Sequence, residues 1–185
     1  MDEKRFRFDL FIALCALLVS SIAAGASAYQ TYVINQQYQA SIWPYLGFTL
    51  TTSERQVAVV VDNYGLGPAL IRTFEVLQDG KPVKSFNEII DPLEQRHKGP
   101  LNVTVTTLHR GSVVPAAQNI TLFSVDNPEV AKRVQAQAAK YDVAICYCSL
   151  LGRCWMKRLQ DLGDLPRDVR ECPLPTVAGP HMFER

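Results

Sequence analysis

The chain has 185 residues, 48% of them hydrophobic, and its 19 Lys and Arg against 18 Asp and Glu leave a formal net charge of +1. Opposite charges are mixed along the chain, which argues against a nucleic-acid partner held by a basic stripe and against a long solvating tail. About 155 residues remain after the first apolar segment, enough for one domain with its own core.

Residues 1–9 carry Lys4, Arg5 and Arg7, and no charged side chain occurs between Leu10 and Ser53. Leu10 to Ala28 is predominantly apolar. At about 1.5 Å rise per residue, this segment nearly matches a bilayer core of roughly 30 Å. Residues 1–9 are therefore expected to be a cytoplasmic N-terminus and 10–28 a transmembrane helix, because Lys and Arg are retained on the cytoplasmic side and Asp9 counts little. A cleaved signal peptide is the rival reading, since Ala26-Ser27-Ala28 supplies a small-residue site. The apolar run is long for such a peptide, and the sequence after Ala28 continues as helix, so a retained anchor is favoured. Both readings place the rest of the chain outside the cytoplasm. Cys15 lies within the apolar run and reads as a small filler.

Residues 29–44 are uncharged but polar, with Ile34, Tyr38 and Ile42 at four-residue intervals. That spacing predicts a juxtamembrane helix ended by Pro44. Tyr29 and Tyr32 suit the outer headgroup region. Gln36, Gln37 and Gln39 are candidates for helix self-association through amide hydrogen bonds, against the plainer reading of a spacer.

Residues 45–160 change to a strand pattern. Gly47–Thr52 is β-prone, and Val57, Val59 and Val61 mark a strand buried on both faces. Asn63 to Pro68 is a turn cluster. Leu70–Leu77 is the next strand, and Asp79-Gly80 is a type I′ hairpin signal before Lys81-Pro82-Val83. Ser85 and Glu88 form a capping-box pattern for a short helix from Phe86 to about Ile90, limited by Pro92. Strict alternation through Leu101, Val103 and Val105 predicts a half-buried strand, and Ile120–Val125 another. Asn127-Pro128 is a cap followed by a first-turn proline, so an amphipathic helix should run from Pro128 to about Lys140, with Val130, Val134 and Ala138 on one face. Asp142–Leu150 and Cys154–Leu159 read as strands around Leu151-Gly152-Arg153. The tail, 161–185, is rich in Pro and Gly and is expected to be irregular and stapled by a disulfide.

Short strands separated by turn signals predict a mainly β domain with helical additions, a decorated β-sandwich. The segment Val60-Val61-Asp62-Asn63-Tyr64-Gly65-Leu66-Gly67-Pro68-Ala69 resembles the strand-to-turn segment of immunoglobulin-like, CARDB-type cell-envelope modules. A short N-terminus, one anchor and a small exported domain also resemble single-pass bacterial envelope proteins. The resemblance implies an immunoglobulin-like sandwich and an extracytoplasmic location, and it carries no catalytic residues across.

Four cysteines fall in the exported part: Cys146, Cys148, Cys154 and Cys172. An even set in an oxidising compartment is read first as disulfides. Their spacing is neither the paired C-x2-C of common zinc sites nor the C-x-x-C of thioredoxin-like enzymes. Cys146 and Cys148 lie two apart on one strand and face the same side. A turn around Leu151 would set Cys148 against Cys154 and leave Cys146 for Cys172. Cys146–Cys154 with Cys148–Cys172 is the alternative, and a one-residue shift of the turn admits others.

His97, His109 and His181 have no ligand spacing with one another. Asp62-Asn63 before Gly65-Leu66-Gly67 lacks the lysine of a phosphate loop and the spaced oxygens of a calcium loop, so it reads as a plain turn. Asn102-Val103-Thr104 and Asn119-Ile120-Thr121 match the glycosylation sequon but lie in or beside strands. Trp43 and Trp155 read as packing residues. The expected function is a non-catalytic, membrane-anchored binding or assembly-support protein of the inner membrane, needing no cofactor or metal. Its partners would be the membrane, through one helix, and an envelope protein or a second copy. The alternative is thiol-redox or metal chemistry at the four cysteines.

Overall fold

The computed structural model describes residues 3–83, 88–89 and 101–174. The helix expected at Phe86–Ile90 and its Ser85 cap lie outside the described residues apart from Glu88 and Ile89, which are helical; Pro92, His97 and His181 also lie outside. The chain divides into two compact units, Met1–Ser41 and Ile42–Arg185.

The first unit is one continuous helix, α1 (Glu3–Ser41). Its stretch Phe6–Gln39 is long and apolar enough to cross a membrane, with a mean hydropathy of 2.2 over its most apolar 18 residues. The segments expected as anchor and juxtamembrane helix are thus a single helix of about 58 Å at about 1.5 Å per residue, longer than a bilayer core is thick. The helix stops at Ser41 rather than at Pro44, since a proline pushes the residue before it out of the helical region. Hydroxyls inside it bond back to the preceding turn: Ser20 to the Ala16 carbonyl, Ser21 to Leu17, Thr31 to Ser27. This satisfies them without water, as an apolar surrounding requires.

The second unit is mostly β. Its elements are β1 (Leu46–Thr52), β2 (Gln56–Asn63), β3 (Ala69–Gln78), β4 (Lys81–Pro82), β5 (Val103–Val105), β6 (Val113–Val114), β7 (Asn119–Asp126), α2 (Pro128–Gln137), β8 (Tyr141–Cys148), β9 (Cys154–Arg158) and β10 (Arg167–Val169). Among the described residues they form two antiparallel sheets. One has the order β1-β2-β7-β5; the other runs β10-β9-β8-β3-β4, with β6 also on β3.

Local chemistry accounts for the connections. Asp79 and Gly80 both hold positive φ (50° and 76°), as a type I′ turn requires, and set Gln78 against Lys81. The Asn127 side-chain oxygen accepts hydrogen bonds from the backbone N–H groups of Glu129 and Val130, with Pro128 opening α2. A 3-10 turn, Ala138–Lys140, leads from α2 to β8. Two strands depart from the sequence expectation. The short β6 has too little length to show a period. The tail is not wholly irregular, because β10 pairs with β9 through Arg167↔Met156 and Asp168↔Trp155. Its polar sequence carries no apolar signal, and ladder bonds with an Arg153–Asp168 ion pair of 2.8 Å hold it.

The main core lies between the sheets. Leu46, Val61 and Leu122 of the first sheet meet Ile71, Phe74 and Ile145 of the second, all at most 1% exposed. A smaller cluster seats Val130 and Ala131 of α2 on Val57 and Val125.

The turn after β2 decides how this unit begins. Asn63 is 2% exposed, and its side chain is fully used. Its carbonyl oxygen accepts from the N–H groups of Tyr45 (3.1 Å) and Gly65 (3.0 Å). Its amide nitrogen donates to the carbonyls of Gly67 (2.9 Å) and Val114 (3.0 Å). Gly65 and Gly67 press on the backbone of residues 42–45, where a Cβ would collide with the Trp43 and Ile42 carbonyls. Asn63→Ala would orphan two part-buried N–H groups and the buried carbonyls of Gly67 and Val114, and cost about 3 kcal/mol in the unfolding transition of this unit. Gly67→Ala should be comparably destabilising through backbone collision. Denaturant titration of the full-length protein in detergent, followed by Trp fluorescence, measures both; an unchanged midpoint in Asn63→Ala would refute the anchoring role.

Candidate functional site

The second unit holds an apolar cavity of about 490 Å³. Leu50, Val59 and Leu122 line it from one sheet, Val76 and Val143 from the other, and Val134 from α2. Polar groups also contact it: Thr52, Arg133, three glutamines and Tyr141. Arg133 is within 4.0 Å of Glu129 one turn earlier, and Gln135 donates to the Ser53 carbonyl at 2.9 Å. The Tyr141 hydroxyl is pushed above its usual range by burial and then by the carboxylate of Asp79. The volume and lining are those of small-molecule pockets, which run to roughly 300–1,000 Å³ with apolar walls and few polar groups. Sequence periodicity could point to its α2 wall, since Val130, Val134 and Ala138 form one stripe. It could not show that two sheets stand apart there.

An ion pair between buried Asp142 and exposed Arg158 joins β8 and β9. Asp142 is 3% exposed and lies 2.8 Å from the Arg158 Nε. Its other oxygen accepts from the Gln160 N–H at 3.1 Å, fixing the chain as it leaves β9. Lys157, 4% exposed, donates to the carbonyls of Asp161 and Asp164 and so closes the following turn.

The four cysteines gather at the β8–β9 hairpin. Cys148 and Cys154 face each other across the ladder, with Cα atoms 4.0 Å apart, and are bonded. Cys146 is bonded to Cys172, 26 residues along. Hairpin register explains the first pair: Gly152 at φ 83° closes the turn and puts residues 148 and 154 opposite. The two bridges touch, since the Cys148 and Cys172 sulfurs are 3.9 Å apart. The sulfurs of Cys148, Cys154 and Cys172 lie within 4.8 Å of one another, a metal-like cluster, but a metal takes thiolates and these sulfurs are all bonded in disulfides.

Gln36, Gln37 and Gln39 lie in the C-terminal half of α1; the first two are exposed and Gln39 is partly covered. Gln36 reaches the Tyr32 hydroxyl at 3.4 Å along the same face. His109 is exposed, and its backbone N–H bonds the Ser112 hydroxyl in a turn. Asp62 accepts from the Thr49 hydroxyl at 2.6 Å, and the Asn63 side chain is occupied as described. Trp43 and Trp155 pack together, with ring centroids 6.4 Å apart. Tyr147 stacks on Trp155 at 5.8 Å, while the Arg153 guanidinium covers the same indole.

Comparison with models of protein families, with curated proteins and with solved structures returned no match.

Tyr147 is fully buried, and its hydroxyl oxygen accepts the Leu46 N–H at 3.1 Å, tying the second sheet to the first strand of the other. Burial pushes its phenol far above the ordinary value of 10.0, with the Leu46 bond opposing and Tyr45 adding slightly. A phenol that holds its proton more tightly in the folded state contributes stability that is intact below the unfolded value. That contribution is lost as the pH rises through 10 toward the folded value. Unfolding midpoints should therefore fall steeply above pH 10. Tyr147→Phe should flatten that fall and cost about 1–2 kcal/mol at neutral pH by orphaning the Leu46 N–H. Denaturation curves from pH 8 to 11 on both proteins test it.

Proposed function

We propose that this chain is a single-pass inner-membrane protein with a cytoplasmic N-terminus and a periplasmic or extracellular domain that works by binding. The apolar cavity between the sheets carries the reading. Its described lining residues include only two ionisable side chains, Arg133 and Tyr141, and Arg133 is shared with Glu129. Such a lining favours desolvating an apolar group over moving a proton or presenting a nucleophile.

The location rests on α1 and on the cysteines. Phe6–Gln39 is long and apolar enough to cross a membrane, and Lys4, Arg5 and Arg7 precede its uncharged run from Leu10. Paired cysteines fit an oxidising compartment. The two antiparallel sheets sharing one core, with an N-x-G-x-G turn at the end of β2, support an immunoglobulin-like sandwich of the CARDB type. An envelope protein or a second copy, engaged through Gln36, Gln37 and Gln39, is the partner this arrangement suits.

Two measurements test the proposal. Protease added to sealed membranes should digest the domain from the outer face only and leave a membrane-bound fragment containing Leu10–Ala28; a mature chain starting at Tyr29 would overturn the anchor. The apolar dye N-phenyl-1-naphthylamine should bind the full-length protein in a non-fluorescing detergent with saturable enhancement. Val134→Trp, which fills the cavity from α2, should weaken that binding at least about tenfold, or about 1.4 kcal/mol. Equal binding by the variant and the parent would remove the cavity from the proposal.

A further inference from the structure

The cavity reading leaves the four cysteines as covalent staples, but their arrangement carries more than that. Two disulfides that only staple a fold need not touch. Here the Cys148 sulfur, bonded to Cys154, is 3.9 Å from the Cys172 sulfur, bonded to Cys146. That is contact distance for the next sulfur to attack, and the Cys154 sulfur is also within 4.8 Å of Cys172. Access differs among the four. Cys146, Cys148 and Cys154 are buried, at 1%, 3% and 8% exposure, whereas Cys172 is half-buried on the tail, next to exposed Glu171 and Leu174. An outside thiol therefore reaches the cluster at Cys172.

We propose that the cluster is a thiol–disulfide exchange site that takes two electrons from a dithiol at Cys172 and leaves the resulting pair of thiols at Cys146 and Cys154. One thiolate of the dithiol attacks the Cys172 sulfur, and Cys146 leaves as thiolate. The second thiolate of the dithiol closes on the first, which leaves oxidised as a disulfide and releases the Cys172 thiolate. That thiolate attacks the Cys148 sulfur across the 3.9 Å contact. The Cys148–Cys172 bond forms, the Cys148–Cys154 bond breaks, and Cys154 leaves as a thiolate that takes a proton from water. The net change is one dithiol oxidised and two protein thiols made, at Cys146 and Cys154, with a single remaining bridge between Cys148 and Cys172. Exchange follows this route because attack requires a thiolate and access to the sulfur it strikes. The tail, released from Cys146 by the dithiol, is tied again in the last step at Cys148, two residues along β8. The proposal is independent of the cavity and of any ligand in it.

The direct test needs no reductant. In full-length Cys146→Ser, Cys172 begins as a free thiol beside the Cys148–Cys154 bridge. Alkylation with iodoacetamide, digestion and mass spectrometry should then find a Cys148–Cys172 crosslinked peptide and label on Cys154, in a share comparable with label on Cys172. Label confined to Cys172, with Cys148–Cys154 intact, would overturn the proposal. The unsubstituted protein supplies a second readout that does not depend on the variant folding. Treated with one equivalent of dithiothreitol, it should yield molecules labelled at Cys146 and Cys154 together. Label found only in the pairs Cys146 with Cys172, or Cys148 with Cys154, would mean that the two bridges open separately and that no exchange occurs.

Discussion

A single buried amide organises the β-rich unit. Asn63 has four hydrogen-bonding positions on its side chain, and each faces a backbone group that burial would otherwise leave unpaired. Its main chain joins in, donating to the Gln118 carbonyl and accepting from the Ala117 N–H. Ala117 sits at φ 55°, a left-handed conformation that this bond helps to hold. One residue thereby fixes the segment before β1, the turn after β2, the end of β6 and the loop into β7. An aspartate there would turn an acceptor toward the carbonyls of Gly67 and Val114, so the constraint is on the amide and not merely on size or polarity. The two glycines complete it by letting the turn lie directly on the backbone of residues 42–45.

The sheets are joined by a second polar contact, from the Leu46 N–H to the Tyr147 hydroxyl. Around it runs a line of rings, Tyr64, Tyr45, Trp43, Trp155 and Tyr147, each within about 6.5 Å of the next. At this end the sheets are close and filled. At the other end Asp142 and Arg158 hold β8 and β9, while α2 leans on Val57 and Val125. Because α2 packs against one sheet, the space between the sheets is left open beside it. The cavity is thus a by-product of where the helix sits and not of any one side chain.

Much of this was legible in the sequence, and the reasons differ by element. The membrane-length helix announces itself by composition alone. The Asp79-Gly80 turn, the Asn127-Pro128 cap and the alternating strands follow from local chemistry that needs no partner. The Asn63-x-Gly65-x-Gly67 segment was visible as a turn, but what it binds was not, because its partners lie 18 and about 50 residues away in the chain. β10 was hidden by polarity, since an edge strand with no buried face has no hydrophobic period. The cavity was hidden for a related cause: a void is a relation between elements, and its wall residues read as ordinary core. The cysteines stand between these cases. Hairpin geometry points to the facing pair, while the contact between the two bridges depends on a tail whose path no local rule sets.

The two disulfides are nested, the bridge of sequence separation 6 lying inside the one of separation 26. By chain-entropy reasoning the outer closure restricts the unfolded chain by about 3.5 kcal/mol and the inner by about 2. Nesting also gives the chain from Cys146 to Cys172 the topology of a double ring. A single backbone cut at Leu150 or Leu151, or anywhere between Trp155 and Glu171, opens a ring without separating the pieces. The C-terminal quarter of the domain therefore survives such a nick as one covalent body, and only reduction following cleavage lets it go.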